Sequence, residues 1–131
     1  MRLLLDTHIL LWSIYQPRRL TAATRSLLTD PANDILFSAV SIAEVAIKSS
    51  LGRSDFPFQP GEVAEAARMT GFAELTLDSR QAMRLADMPW HHRDPFDRLL
   101  VAQSIEEGLR LLTTDRRLAS YSDLVEEIAV S

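Results

Sequence analysis

The sequence predicts an α/β fold, a parallel sheet of roughly five strands with helices on both faces. Two observations carry that reading. Short β-type runs alternate with longer helical runs along the chain, which is the signature of strand–helix–strand units. The first of these runs, Arg2–Leu5, is apolar without alternation, as a strand covered on both faces must be.

The elements follow in order. Thr7–Ile14 reads as a helix, and Thr21 caps a second over roughly Ala22–Thr29, ended by Asp30-Pro31. Asp34–Ser38 is the second strand. Ser41–Ser50 is a helix stopped by Gly52, and Gly61–Met69 is another, stopped by Gly71. Glu74–Leu77 is a short strand. Asp78 caps a helix through Ala86, with Gln81 in the capping-box position. Asp94 and Pro95 are the cap and first residue of a helix that runs to about Glu107 and stops at Gly108. Leu109–Thr113 is a strand, Arg116–Ala119 a helical turn and Val125–Val130 the last strand.

Size and composition bound the function. The 131 residues suit one domain, 1–131, able to bury a real core. There is no repeat, low-complexity tract or linker to divide it. The absence of cysteine excludes a disulfide framework and a thiolate zinc site, and agrees with a reducing cytoplasm. No apolar run approaches the ~20 residues of a membrane span. Asp6 and His8 interrupt the apolar start, so it is not read as a signal peptide. The net charge of −4 argues against general attraction to nucleic acid, so any RNA contact must come from a local basic rim or a bound metal.

Chemistry is expected at one edge of the sheet. In parallel α/β sheets the site lies beyond the carboxyl ends of the strands. Asp6 directly follows the first strand, and Asp115 follows the Leu109–Thr113 strand after one more threonine. Glu44 lies in a helix entered from the second strand, in its first turn on the boundaries above. Asp97 lies in the first turn of the helix begun by Pro95. Four carboxylates converging at one edge would repel one another, and hard divalent ions with oxygen ligands, Mg²⁺ or Mn²⁺, relieve that. Each acid also has a local explanation. Asp6 and Asp115 are placed to cap helices, Ser41 and Glu44 have capping-box spacing, and Asp97 suits a helix N-terminus. Spacing alone leaves both readings open.

Four segments resemble the motif blocks of PIN-domain proteins, most of all the VapC-type toxins of bacterial toxin–antitoxin pairs. They are LLLDTHILLW at Leu3–Trp12, SAVSIAEVAIKSSLG at Ser38–Gly52, HHRDPFDRLLVAQS at His91–Ser104 and LLTTDRRLASY at Leu111–Tyr121. The resemblance covers nearly the whole chain, in the family's order, and the D-P-F-D-R block is its most specific part. It implies a three-layer α/β/α sandwich and an Mg²⁺- or Mn²⁺-dependent endoribonuclease, acting in such families on tRNA or other structured RNA. It also implies a homodimer and a small cognate antitoxin. The family's metal-site acids fall on Asp6, Glu44, Asp97 and Asp115. Asp6 and Asp97 would be primary ligands, in a metal-assisted hydrolysis without a covalent nucleophile. Asp94 reads better as the helix cap.

Weaker candidates surround these acids. Lys48 lies four residues after Glu44, where a helical salt pair competes with a phosphate contact. Arg98 and Arg116 are weaker RNA-binding candidates. Thr7, Thr113 and Thr114 are placed to hydrogen-bond the acids. Adjacent His91 and His92 rarely share one ion and have no third soft ligand, which argues against zinc. Trp12 and Trp90 are expected in a core or interface. A phosphotransferase of the haloacid-dehalogenase type fails because His8 stands where its second Asp belongs. A receiver domain fails for want of a late lysine. The remaining alternative is a catalytically inactive PIN-like module that binds RNA or protein.

Overall fold

The computed structural model describes all residues 1–131. Five strands form one sheet in the order β3-β2-β1-β4-β5, every neighbouring pair parallel. They are β1 (Arg2–Leu5), β2 (Asp34–Ser38), β3 (Ala73–Leu75), β4 (Arg110–Thr113) and β5 (Val125–Glu127). The helices are α1 (Thr7–Tyr15), α2 (Ala22–Thr29), α3 (Ala39–Ser50), α4 (Pro60–Thr70), α5 (Ser79–Met83), α6 (Pro95–Glu107) and α7 (Arg116–Ala119). Short 3₁₀ turns at Pro17–Arg19 and Arg84–Asp87 follow α1 and α5.

The apolar run of β1 divides between two cores because successive side chains point to opposite faces. Leu3 and Leu5 join Ile9, Leu10, Phe37, Val63 and Ala67 on the face covered by α1 and α4. Leu4 joins Leu36, Leu100, Val101, Leu111 and Leu118 on the face covered by α6 and α7. This is the three-layer arrangement expected from the sequence.

Several element boundaries differ from expectation. The third strand ends at Leu75 rather than Leu77, and the fifth ends at Glu127, with Val130 making only an isolated bridge to Leu20. The Asp78 capping box is present, but its α-helix stops at Met83 and continues as a 3₁₀ turn. The helix carrying Glu44 begins at Ala39, ahead of the expected Ser41, with Ser38 as its cap. Ser41 is therefore inside the helix, where its hydroxyl accepts from Thr7 Oγ1 at 2.9 Å. The capping-box account of Glu44 is thereby removed, and Glu44 lies beyond the first turn.

The carboxyl edge of the sheet gathers the polar residues. α6 ends at Gly108, whose positive φ of 65° lets the chain reverse into β4. Because α6 finishes at the amino end of β4, it must begin at the carboxyl edge. That reversal brings Asp97 to the same edge as Asp6 and Asp115.

Candidate active site

Asp6 is 4% exposed and fixed on both oxygens. Oδ1 accepts from the Ile9 N–H at 2.8 Å, capping α1, and Oδ2 accepts from the Thr113 hydroxyl at 2.6 Å. Burial pushes its carboxyl up, against the opposing effect of these two hydrogen bonds. Glu44, also 4% exposed, accepts from Lys48 Nζ at 2.7 Å through Oε2. Its other oxygen, Oε1, is buried without a partner.

Asp97 stands at the third position of α6, two residues after Pro95. Burial, then the charge of Asp94, push its carboxyl up to about 6, while its contact with His92 pulls the other way. The charges of Asp6 and Glu44 add to the upward push, so the fields of the neighbouring acids meet here. Asp94 caps α6, accepting from the N–H groups of Phe96 and Asp97. Asp115 caps α7 and pairs with Arg117 at 2.9 Å, which holds its carboxyl below the usual carboxylate range.

A cleft of about 530 Å³ opens over this edge. Its wall has no hydrophobic residue and includes Asp6, Asp94, Asp97, Asp115, His8 and His92, with Arg116 and Arg117 also lining it. Glu44 is not part of that wall.

The structure therefore draws three of the four predicted acids to the cleft and sets Glu44 within reach of their field. Local capping and convergence are compatible, since Asp6 and Asp115 do both. Thr113 bonds Asp6 directly, whereas Thr7 reaches Ser41. Lys48 is committed to Glu44. Arg116 is on the cleft wall. Arg98 is elsewhere: it is 3% exposed, donates to the carbonyls of Leu85 and Met88, and lies 3.7 Å from the Trp90 ring centroid. A phosphate contact from Arg98 does not fit that placement. Trp12 packs at the edge of the first core, but Trp90 is 76% exposed rather than in a core. His92 is the site residue that the sequence reading set aside. Its Nε2 lies 2.9 Å from Asp97 Oδ2 and 3.5 Å from Asp115 Oδ2. Its position five residues before Asp97, across the turn into α6, was the available signal.

The donor set suits a hard divalent cation. Carboxylate oxygens dominate it, like charges raise the cost of leaving it uncompensated, and Glu44 Oε1 is a buried acceptor with nothing to accept from.

Comparison with known proteins agrees with this architecture. A family model described as PIN domain matches residues 3–124. The chain is 31% identical over 122 residues to Ribonuclease VapC22 of Mycobacterium tuberculosis, covering 90% of each chain. Among solved structures, VapBC2 from Rickettsia felis bound to a promoter DNA fragment matches with a TM-score of 0.69 at 15% identity, over 98% of this chain and 99% of that one. FitAcB from Neisseria gonorrhoeae matches with a TM-score of 0.61 at 20% identity, over 94% and 95%. At such identities the structural likeness is one of fold.

Proposed function

The chain belongs to the PIN-domain family, in its VapC-like part, and from that premise we propose that it is a metal-dependent endoribonuclease, the toxin of a toxin–antitoxin pair. On this reading residues 1–131 form one catalytic unit acting on RNA phosphodiester bonds in the cytoplasm, with tRNA a natural first substrate to try. The observation that carries it is the convergence of Asp6, Asp97 and Asp115 on one polar cleft backed by the unpartnered Glu44 Oε1. The likeness to Ribonuclease VapC22 supports RNA as the substrate. The likeness in fold to the VapBC2 assembly of Rickettsia felis supports a small antitoxin as the partner. A homodimer is the expected assembly.

Asp6, Asp97, Glu44 and Asp115 would hold Mg²⁺ or Mn²⁺. When bound, such a cation supplies charge neutralisation at phosphate and lowers the pKa of water. The protein's own contribution is orientation. The Ile9 N–H and the Thr113 hydroxyl fix the plane of the Asp6 carboxylate. Lys48 takes one oxygen of Glu44 and leaves the other without competition. The first turn of α6, set by Asp94 and Pro95, presents Asp97. Arg116 on the cleft wall suits a phosphate of the bound strand, as a guanidinium can donate two parallel hydrogen bonds. The antitoxin would inhibit by placing a basic side chain against these acids, in the place of the cation.

The test is cleavage of labelled tRNA with and without Mg²⁺, beside an Asp97→Asn variant. Cleavage should require the cation and fall by more than about 100-fold in the variant, beyond the usual cost of losing a group that merely supports a ligand. Metal-independent cleavage, or full activity in Asp97→Asn, would overturn the reading.

A further inference from the structure

One of the donors facing the acidic cleft is not a carboxylate. Nε2 of His92, a carboxylate oxygen of Asp97 and one of Asp115 all lie within 4.8 Å of one another. Two donors ~2.1 Å from a shared small cation are at most about 4.2 Å apart. The trio needs only slight closing to meet one ion.

The backbone that carries this ring is held by a residue distant in sequence. The His92 N–H donates to the Tyr121 hydroxyl at 2.9 Å, and that hydroxyl donates back to the His92 carbonyl at 3.4 Å. Two residues later Asp94 caps α6. The neighbouring His91 packs its ring on Tyr121 instead, with centroids 4.9 Å apart. The two adjacent histidines are thus divided, one spent on Tyr121 and one turned to the acids. The side chain of His92 is 10% exposed, with its Nε2 beside an oxygen of each of two carboxylates.

We propose that His92 Nε2 is a direct ligand of the divalent cation, alongside Asp97 and Asp115, and biases the site toward Mn²⁺ over Mg²⁺. This rests on the metal-dependent reading above and adds a nitrogen donor to its all-oxygen set. Ligation takes the neutral ring with its proton on Nδ1, and the cation replaces the contact between Nε2 and Asp97. Mg²⁺ keeps to oxygen donors and water, whereas transition metals accept imidazole more readily.

The full-length protein loaded with Mn²⁺ below one equivalent is the sample to use, read by pulsed electron paramagnetic resonance for ¹⁴N coupling. The chain has three histidines, so the signal can be assigned completely. Coupling should be present in the parent, absent in His92→Gln, and kept in His8→Gln and His91→Gln. Calorimetric titration should show Mn²⁺ binding weakened by more than about 100-fold in His92→Gln, beyond the usual cost of losing a group that merely supports a ligand, with a smaller loss for Mg²⁺. Bound Mn²⁺ without ¹⁴N coupling in the parent overturns the inference and leaves the metal-dependent reading standing. Coupling that survives in His92→Gln, or vanishes only in His8→Gln, overturns it equally. A parent that binds no Mn²⁺ and no Mg²⁺ overturns both.

Discussion

Burial and the charge of Asp94 hold the Asp97 carboxyl at about 6, against an ordinary value of 3.8. An acid raised in the folded state favours folding while it is protonated. Its contribution is fully present below the unfolded value and is lost as pH rises through the folded one. The neutral amide of the Asp97→Asn variant has nothing to ionise. In chelator, Asp97→Asn should therefore melt at or near the parent's temperature at about pH 4 and above it at about pH 7.5, with the gap opening as pH rises to about 6. A gap independent of pH would count against the electrostatic account. Added Mg²⁺ should stabilise the parent more than the variant, since ligand binding to the folded state adds stability by mass action. Asp6 is raised in the same direction by burial, so its ionisation also carries a cost that a cation would offset.

At the scale of elements, the first turn of α6 sets where Asp97 stands. Asp94 accepts from two backbone N–H groups there, one of them that of Asp97. Asp94→Ala should lower stability by about 1 kcal/mol, the typical cost of losing an N-cap, while Asp94→Asn should keep most of it because asparagine caps comparably. Denaturant melts of the two variants separate the cap from the charge. Equal losses in both would mean that the carboxylate charge, not the cap, is what α6 requires. The same element shows where sequence pattern was legible. Asp94-Pro95 at its start and Gly108 at its end were sufficient to place the helix, because each residue type answers a specific backbone need. The start of α3 was less legible. Ser38 and Ser41 both have capping chemistry, and only the neighbouring Thr7 hydroxyl, distant in sequence, shows Ser41 to be spoken for.

For the molecule as a whole, the net charge of −4 and the acidic cleft mean that RNA is not held by general attraction. Arg116 and Arg117 are the arginines on the cleft wall, and Arg116 is the phosphate contact proposed above. Binding of single-stranded RNA to the Asp97→Asn protein should thus weaken only shallowly with salt. Arg116→Gln should reduce the slope of log affinity against log salt by about 0.7, the value for one phosphate contact on a single strand. An unchanged slope would remove Arg116 from the RNA path. Arg98→Gln should leave the slope alone and lower stability instead, because its guanidinium is spent on the carbonyls of Leu85 and Met88.

The order of strands and helices and the two-sided burial of β1 could be read along the chain, and the four candidate acids could be named there. They depend on local periodicity, on capping chemistry and on motif blocks, each of which is complete within a short segment. What sits beside what required the folded molecule. The reversal at Gly108 carries Asp97 to the edge where β1 and β4 deliver Asp6 and Asp115. The hydrogen bonds of Tyr121 to the His92 backbone, between residues 29 apart, hold the segment whose ring stands beside two carboxylates. Arg98, next to Asp97 in sequence, is sent to another side because adjacent helical residues point about 100° apart. Contacts of this kind are set by packing between elements, so no spacing along the chain encodes them.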